Sequence, residues 1–371
     1  MNKAKSIIYL TYQTFPARTA NSIQTISNIK YFVLNGINVT LVFPLRESSS
    51  SDDIKKLQNF YNFEEFFKVI GITHNYLHGK TKRFNFIFYH ISHYLWSKKT
   101  ILKLYKNDQI NTFFTRSDWI AYFLAKQNSR VVFEIHQVSK LRKFIVKKLS
   151  SRQNVKFIFL NELLKKEFPK VKNSIIAHNG VDEFQFSNSN KVKEKNSVLF
   201  LGNLTRFKKS RGLSEVIEWF SDSRINENFK LTIVGGSSYE VESLNLQISK
   251  LNLSKKITIY EWVNRNKIID FMQNAEIGLL LNSPDNLHSF LYSSPLKYFE
   301  YLYSRLKVVA VDFPAHRVLP LNKSISFFEN GNKESFITAL FNTSSLTVLS
   351  NDEKNSITLN YRVKQISEFI F

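Results

Sequence analysis

The chain has 371 residues, 43% of them apolar and 22% charged, with a formal net charge of +22, a globular composition long enough for two domains. The absence of cysteine excludes disulfides and is compatible with the cytosol. No run reaches the ~18 apolar residues of a membrane-spanning helix.

Ser6–Tyr12 is too short and too polar for a signal peptide and reads as a first strand. The loop Pro16–Ser22 follows, and its small residues permit close backbone approach. Asn21–Asn35 has helical periodicity and stops at Gly36, and Asn38–Pro44 is the next strand. The uncharged aromatic segment Phe84–Trp96 is flanked by Lys80, Lys82, Arg83, Lys98, Lys99 and Lys103. It suits either a buried helix with basic ends or an interfacial helix. His90 and His93 stand at i,i+3, but no further ligands support a metal there. Thr112–Thr115, Arg130–Ile135, Lys156–Leu160 and Ser174–Ala177 read as strands, with a helix over about Asp118–Gln127. The polar stretch Ser187–Asn196 suits a linker.

The second half repeats the alternation. Ser197–Leu201, Lys230–Val234, Lys256–Tyr260, Ile277–Leu281 and Leu306–Asp312 are expected strands. Leu213–Ser221, Asn266–Asn274 and Pro295–Ser304 are expected helices. Such alternation predicts an α/β protein of two doubly wound, Rossmann-like parallel-sheet domains facing across a cleft. The boundaries expected are a first domain over 1–186, a linker over 187–196, a second domain over 197–350, and a closing helix over 351–371 that packs back toward the first.

Three segments sit where open α/β sheets bind ligands, at the C-terminal ends of strands. Gly202–Gly212 offers Arg206, Lys208, Lys209 and Arg211 to a diphosphate, or is a solvated basic loop. Val131–His136 ends on Glu134 and His136, two residues apart and so on one face. Gly235-Gly236 closes a strand. The most informative stretch is Ser294-Pro295-Leu296-Lys297-Tyr298-Phe299-Glu300. Ser294 is a good N-cap and Pro295 fits a first turn. Leu296, Phe299 and Tyr303 mark a buried face, and Glu300 points along it. The helix start attracts phosphate, and Glu300 either holds sugar hydroxyls or pairs with Lys297 at i,i+3.

Ser294–Leu302 followed by Val308–Asp312 resembles the donor-nucleotide segment of family-4 retaining glycosyltransferases of the GT-B fold. The resemblance implies that Glu300 holds the donor ribose, with Ser294, Pro295 and Leu296 beside it. Tyr292 stands where that family often has a second Glu, and Arg305 and Lys307 stand where it has Gly and Pro. A left-handed Arg305 costs roughly 1 kcal/mol. Gly202–Gly212 is similar to the family's diphosphate loop, which implies donor contacts for Gly202, Asn203, Arg206 and Gly235 and catalytic cations among Lys208, Lys209 and Arg211. Val-Val-x-Glu-x-His resembles the family's setting for a histidine near the reacting sugar, here His136. The loop after the first strand then puts Arg18, Asn21 and Ser22 on the acceptor side with Glu134. His178–Asp182 resembles an Asn-Gly-Val-Asp turn near the domain junction, and Asn360–Ile366 the closing helix.

The function implied is transfer of a sugar, with retention, from a nucleotide diphosphate sugar to a glycan or lipid-linked glycan in bacterial surface polysaccharide synthesis, lipopolysaccharide or capsule. No cofactor and no metal is expected. Residues 1–185 hold 29 Lys/Arg against 12 Asp/Glu, and the remainder 23 against 18. That basic half suits an anionic membrane surface, hence a cytoplasmic, peripheral location at the inner face of the cell membrane; biased lysine usage accounts for the same letters. A nucleotide-sugar epimerase and a basic nucleic-acid-binding protein are the alternatives, with no nucleic acid expected on the preferred reading. No GxxxxGK[ST] loop, zincin helix or GxSxG elbow occurs.

Overall fold

The computed structural model describes residues 5–76, 85–186, 191–206, 209–225 and 229–371. They form two units, the described residues up to 177 together with 363–371, and those within 178–362. The division thus falls nine residues before the expected 186, and of the closing segment only 363–371 groups with the first unit.

The first unit is built on seven parallel strands: β1 (Ser6–Leu10), β2 (Asn38–Leu45), β3 (Lys68–Thr73), β4 (Thr112–Thr115), β5 (Arg130–Ile135), β6 (Val155–Phe159) and β7 (Ser174–Ile176). Their order is β3-β2-β1-β4-β5-β6-β7. The chain winds outward from β1 to β3 and then returns to the other side of β1. The gap between β1 and β4 is therefore a topological switch point. Helix Ala20–Leu34 starts at Thr19, whose Oγ1 accepts from Ser22 N. It stops before Gly36, which takes φ +73°, the left-handed turn that glycine adopts without strain. β3 escaped the sequence reading because it is a half-buried edge strand interrupted by Gly71. A Cβ on Gly71 would fall 2.6 Å from the Leu45 side chain. The last helix ends against β6, where Lys156 Nζ donates to the carbonyls of Phe369 and Ile370 at 2.6 and 3.2 Å.

The second unit repeats the topology. Its strands are β8 (Glu194–Leu201), the short hairpin β9 (Thr205–Arg206) and β10 (Lys209–Ser210), then β11 (Lys230–Val234), β12 (Ile257–Tyr260), β13 (Ala275–Leu280), β14 (Lys307–Val311) and β15 (Ile325–Phe328). Six of them form a parallel sheet ordered β12-β11-β8-β13-β14-β15, with its switch point between β8 and β13. The expected linker is shorter than predicted, because Glu194–Asn196 already belong to β8; residues 187–190 lie outside the described ones. Alternate strand residues feed two cores. Val198, Phe200, Ile277 and Leu279 face one side. Leu199, Leu201, Leu280 and Val308 face the other, packed against Tyr298, Phe299, Tyr301 and Leu302.

Candidate active site

The donor-like helix spans Leu296–Tyr303, with Pro295 at the cap position and no side-chain cap. Ser294 is therefore not the N-cap. Its Oγ accepts from Asn179 N at 3.2 Å, and its carbonyl accepts from Asn179 Nδ2 at 2.6 Å. This ties the Asn-Gly-Val-Asp turn to the donor segment. Gly180 is required there because a Cβ would meet the Thr358 carbonyl carbon at 2.6 Å. Val181 in turn pairs with Thr358. The buried face consists of Tyr298, Phe299, Tyr301 and Leu302, while Leu296 and Tyr303 are only half-buried.

Glu300 does not pair with Lys297. Its Oε1 lies 2.5 Å from Arg265 Nη2, and Arg265 Nε donates to Gln185 Oε1 at 2.7 Å. Arg265 was not singled out from the sequence. It starts the helix Arg265–Asn274, and nothing in its local pattern marks it. One carboxylate can accept about four hydrogen bonds, so Glu300 keeps acceptor capacity beyond Arg265.

Lys297 points instead to the end of β8. A Cβ on Gly202 would sit 1.6 Å from Lys297 Nζ, and Gly202 takes φ +124°. Only glycine meets both conditions. The ammonium lies 5.7 Å from the centre of the Phe200 ring, and the Arg211 guanidinium 5.5 Å from the same ring. Arg211 is buried, unlike a cation of a solvated basic loop. Its Nη1 donates to the Asn203 carbonyl at 3.1 Å and its Nη2 to the Leu281 carbonyl. Asn203 follows β8 and Leu281 follows β13, so Arg211 bridges the switch point itself. Gly235 packs on this turn, where a Cβ would fall 2.2 Å from the Gly202 carbonyl oxygen. Its glycine is thus demanded by backbone against backbone. Lys208 lies outside the described residues. Of Arg206 and Lys209 only the β9–β10 pairing is described. The sequence missed Lys297 as a cation for the strand ends; its position one turn before Glu300 was the available signal.

In the first unit the expected residues meet across the switch point. Glu134 is fully buried and lies between Arg116 and His136. Arg116 Nε donates to its Oε2 at 2.6 Å, and His136 Nε2 is 3.1 Å from its Oε1. Arg116 Nη1 reaches Asn21 Oδ1 at 3.0 Å and Gln24 Oε1 at 3.2 Å. Burial, the largest single effect, pushes the Arg116 pKa down, but the charges and hydrogen bonds of Glu134 and Tyr9 together offset it and leave the pKa raised. The Thr-Arg-Ser segment, whose role the sequence left open, is therefore the hub between β4, β5 and the first helix. Ser22 serves as a helix-capping partner. Arg18 is exposed. Its loop is fixed by Tyr61, whose hydroxyl accepts from Ala17 N at 2.7 Å and donates to Ala17 O at 2.9 Å. His136 keeps 22% of its side chain exposed, so of the buried trio it alone reaches solvent or a ligand.

Residues 181–349 match the family model described as Glycosyl transferases group 1. A comparison with curated protein sequences gives no match. Among solved structures the chain is similar to sucrose-phosphate synthase from Thermosynechococcus elongatus, with a TM-score of 0.69, 13% identity and 98% of each chain covered. A glycosyltransferase from Rickettsia africae ESF-5 gives 0.67 at 18% identity, covering 100% of this chain and 98% of that one. An E. coli trehalose-6-phosphate protein bound with UDP-2-fluoro glucose gives 0.66 at 10% identity, covering 99% of each. The chain thus has a GT-B fold, carries a Glycosyl transferases group 1 domain over residues 181–349, and is a glycosyltransferase.

Proposed function

We propose that this glycosyltransferase is a retaining, family-4-type enzyme that uses a nucleotide diphosphate sugar and needs no metal. The observation that carries the reading is the meeting of Lys297 and Arg211 at the end of β8, with Glu300 on the same helix as Lys297. The leaving group in such a transfer is a nucleoside diphosphate, which departs with the electron pair of the anomeric C–O bond. Cations fixed where that charge develops lower the barrier without reorganisation. Lys297 supplies an ammonium, Arg211 a buried guanidinium, and Glu300 accepts ribose hydroxyls. His136, oriented by Glu134 and Arg116, is assigned to the transferred sugar. Lys208 and Lys209 are assigned to the diphosphate on resemblance alone.

The acceptor proposed is a lipid-linked glycan of a bacterial surface polysaccharide. Support comes from helix Asn85–Leu104. It is buried along Ser92, His93, Trp96, Ser97 and Thr100, yet Ile87, Ile91, Leu95 and Leu102 are 39–53% exposed along its other side. Lys98, Lys99 and Lys103 are exposed beside them. One face of the helix is therefore buried, and the other leaves its apolar residues exposed. Among the described residues no helix is long and apolar enough to cross a membrane. An exposed apolar stripe with lysines suits shallow attachment to an anionic bilayer. The test of the donor reading is a binding series of nucleosides, nucleoside diphosphates and nucleotide sugars on the wild type and on Lys297→Met. Loss confined to the diphosphates supports it. Equal affinity of both proteins for every nucleoside diphosphate contradicts it.

A further inference from the structure

The other half of the first sheet edge carries a second polar cluster. Tyr12, Arg46 and His74 follow the neighbouring strands β1, β2 and β3, and helix Asn85–Leu104 lays Tyr89, Ser92, His93 and Trp96 against them. The Tyr12 hydroxyl is 2.8 Å from both His74 Nε2 and Ser92 Oγ. Its ring stacks on His93 at 4.3 Å and 14°, with Trp96 at 5.6 Å. The Arg46 guanidinium lies 4.8 Å from the Tyr12 ring centre and 5.6 Å from that of Tyr89.

Four buried polar atoms of this cluster make no hydrogen bond among the described residues: Arg46 Nε and Nη1, Trp96 Nε1 and His93 Nε2. Arg46 keeps 13% of its side chain exposed. Its Nε lies 3.5 Å from Glu47 Oε1, an ion pair too long and too solvated, at 49% exposure, to replace a hydrogen bond. Burial, followed by the charges of His90, Arg46 and Arg142, pushes His93 down to about 3. The ring is then neutral at physiological pH, while Arg46 keeps its charge. Buried donors are almost always met, so several left open in one place ask for a partner. The Arg46 guanidinium is thus placed beside two tyrosine rings with two nitrogens left open, a donor set of the kind that recognises an oxyanion.

We propose that Arg46 and Trp96 hold a phosphate or carboxylate group, and that this group belongs to the acceptor. The second part rests on the transferase reading; the oxyanion site does not. Tryptophan-15N protein should show four indole resonances, one for each tryptophan of the chain, with Trp96 assigned from Trp96→Phe. Inorganic phosphate should shift the Trp96 resonance saturably, and chloride at matched ionic strength should not. Arg46→Gln should weaken that response at least tenfold, with Arg46→Lys in between. The resonance of Trp119, which belongs to the same unit as Arg46, reports whether that unit is folded in each variant. A Trp96 resonance that ignores phosphate, or responds equally in a folded Arg46→Gln or Arg46→Lys protein, overturns the site and leaves it to buried water. A soluble sugar phosphate and a short-chain prenyl phosphate then separate the two sources. A tenfold gain over inorganic phosphate for either one is expected. No gain for both overturns assignment to the acceptor. The readout is local to the first unit, so its failure and failure of the donor reading are distinguishable.

Discussion

Glu300 and Lys297 show how far single residues could be read. A carboxylate on an otherwise apolar helix had to have a partner, and it has one, but the partner is Arg265 from another helix rather than Lys297. Spacing along a helix reveals i,i+3 neighbours and is blind to a residue brought in by tertiary packing. Glu300→Gln should weaken nucleotide binding by about 1.5–3 kcal/mol, the range for hydrogen bonds to a charged group. Isothermal titration of the folded variant checks this, and unchanged affinity removes Glu300 from the donor site. The Glu134 group separates structure from chemistry. Glu134→Gln leaves a buried guanidinium with a neutral partner and should cost about 3–5 kcal/mol, read by denaturant unfolding. His136→Ala, at a partly exposed position, should unfold near the wild-type midpoint yet lose about 100-fold in turnover through lost positioning. A large stability loss for His136→Ala would make it a structural histidine.

At the scale of elements, the helix Leu296–Tyr303 ends as its sequence foreshadowed. Arg305 takes φ +64°, its N–H reaches the Leu302 carbonyl at 3.0 Å, and Leu306 N reaches the Tyr301 carbonyl at 2.9 Å. This is a Schellman ending with arginine in the left-handed place that favours glycine. Lys193 is pushed down to about 8 by burial and then by Arg305 and Lys354, so Arg305 also adds cationic crowding. Arg305→Gly should therefore stabilise the protein by about 1 kcal/mol at neutral pH, seen as a higher denaturation midpoint. A lower midpoint would show that Arg305 makes compensating contacts. Strands buried on both faces, such as β5 and β11, were legible as apolar runs. The half-buried edge β3 and the two-residue hairpin β9–β10 were not, because neither carries a periodic signal. The basic loop was legible as a location. It was not legible that Arg211 turns inward, because that depends on the β8–β13 switch point.

At the scale of the whole chain, the alternation of short strands and helices sufficed for two parallel sheets. Charge counting marked the basic half but could not place lysines beside an exposed stripe. The stripe gives attachment a specific test. Binding to vesicles with anionic lipid should fall steeply between 0.1 M and 1 M salt, as the Debye length contracts from about 10 to about 3 Å. Ile91→Asp should weaken it further at either salt level in a sedimentation assay. Binding without salt dependence, or preference for nucleic acid over anionic vesicles, would count against membrane docking.

The proposed role of Lys297 and Arg211 is to stabilise a departing nucleoside diphosphate in a sugar transfer that retains configuration. Proton NMR of the protein with a panel of nucleotide sugars and a lipid-linked acceptor follows release and anomeric configuration together. One donor should be consumed, the product should keep the donor's configuration, and Lys297→Met should release nucleoside diphosphate at least 100-fold more slowly. An inverted product, or equal release by wild type and a folded Lys297→Met protein, would contradict it.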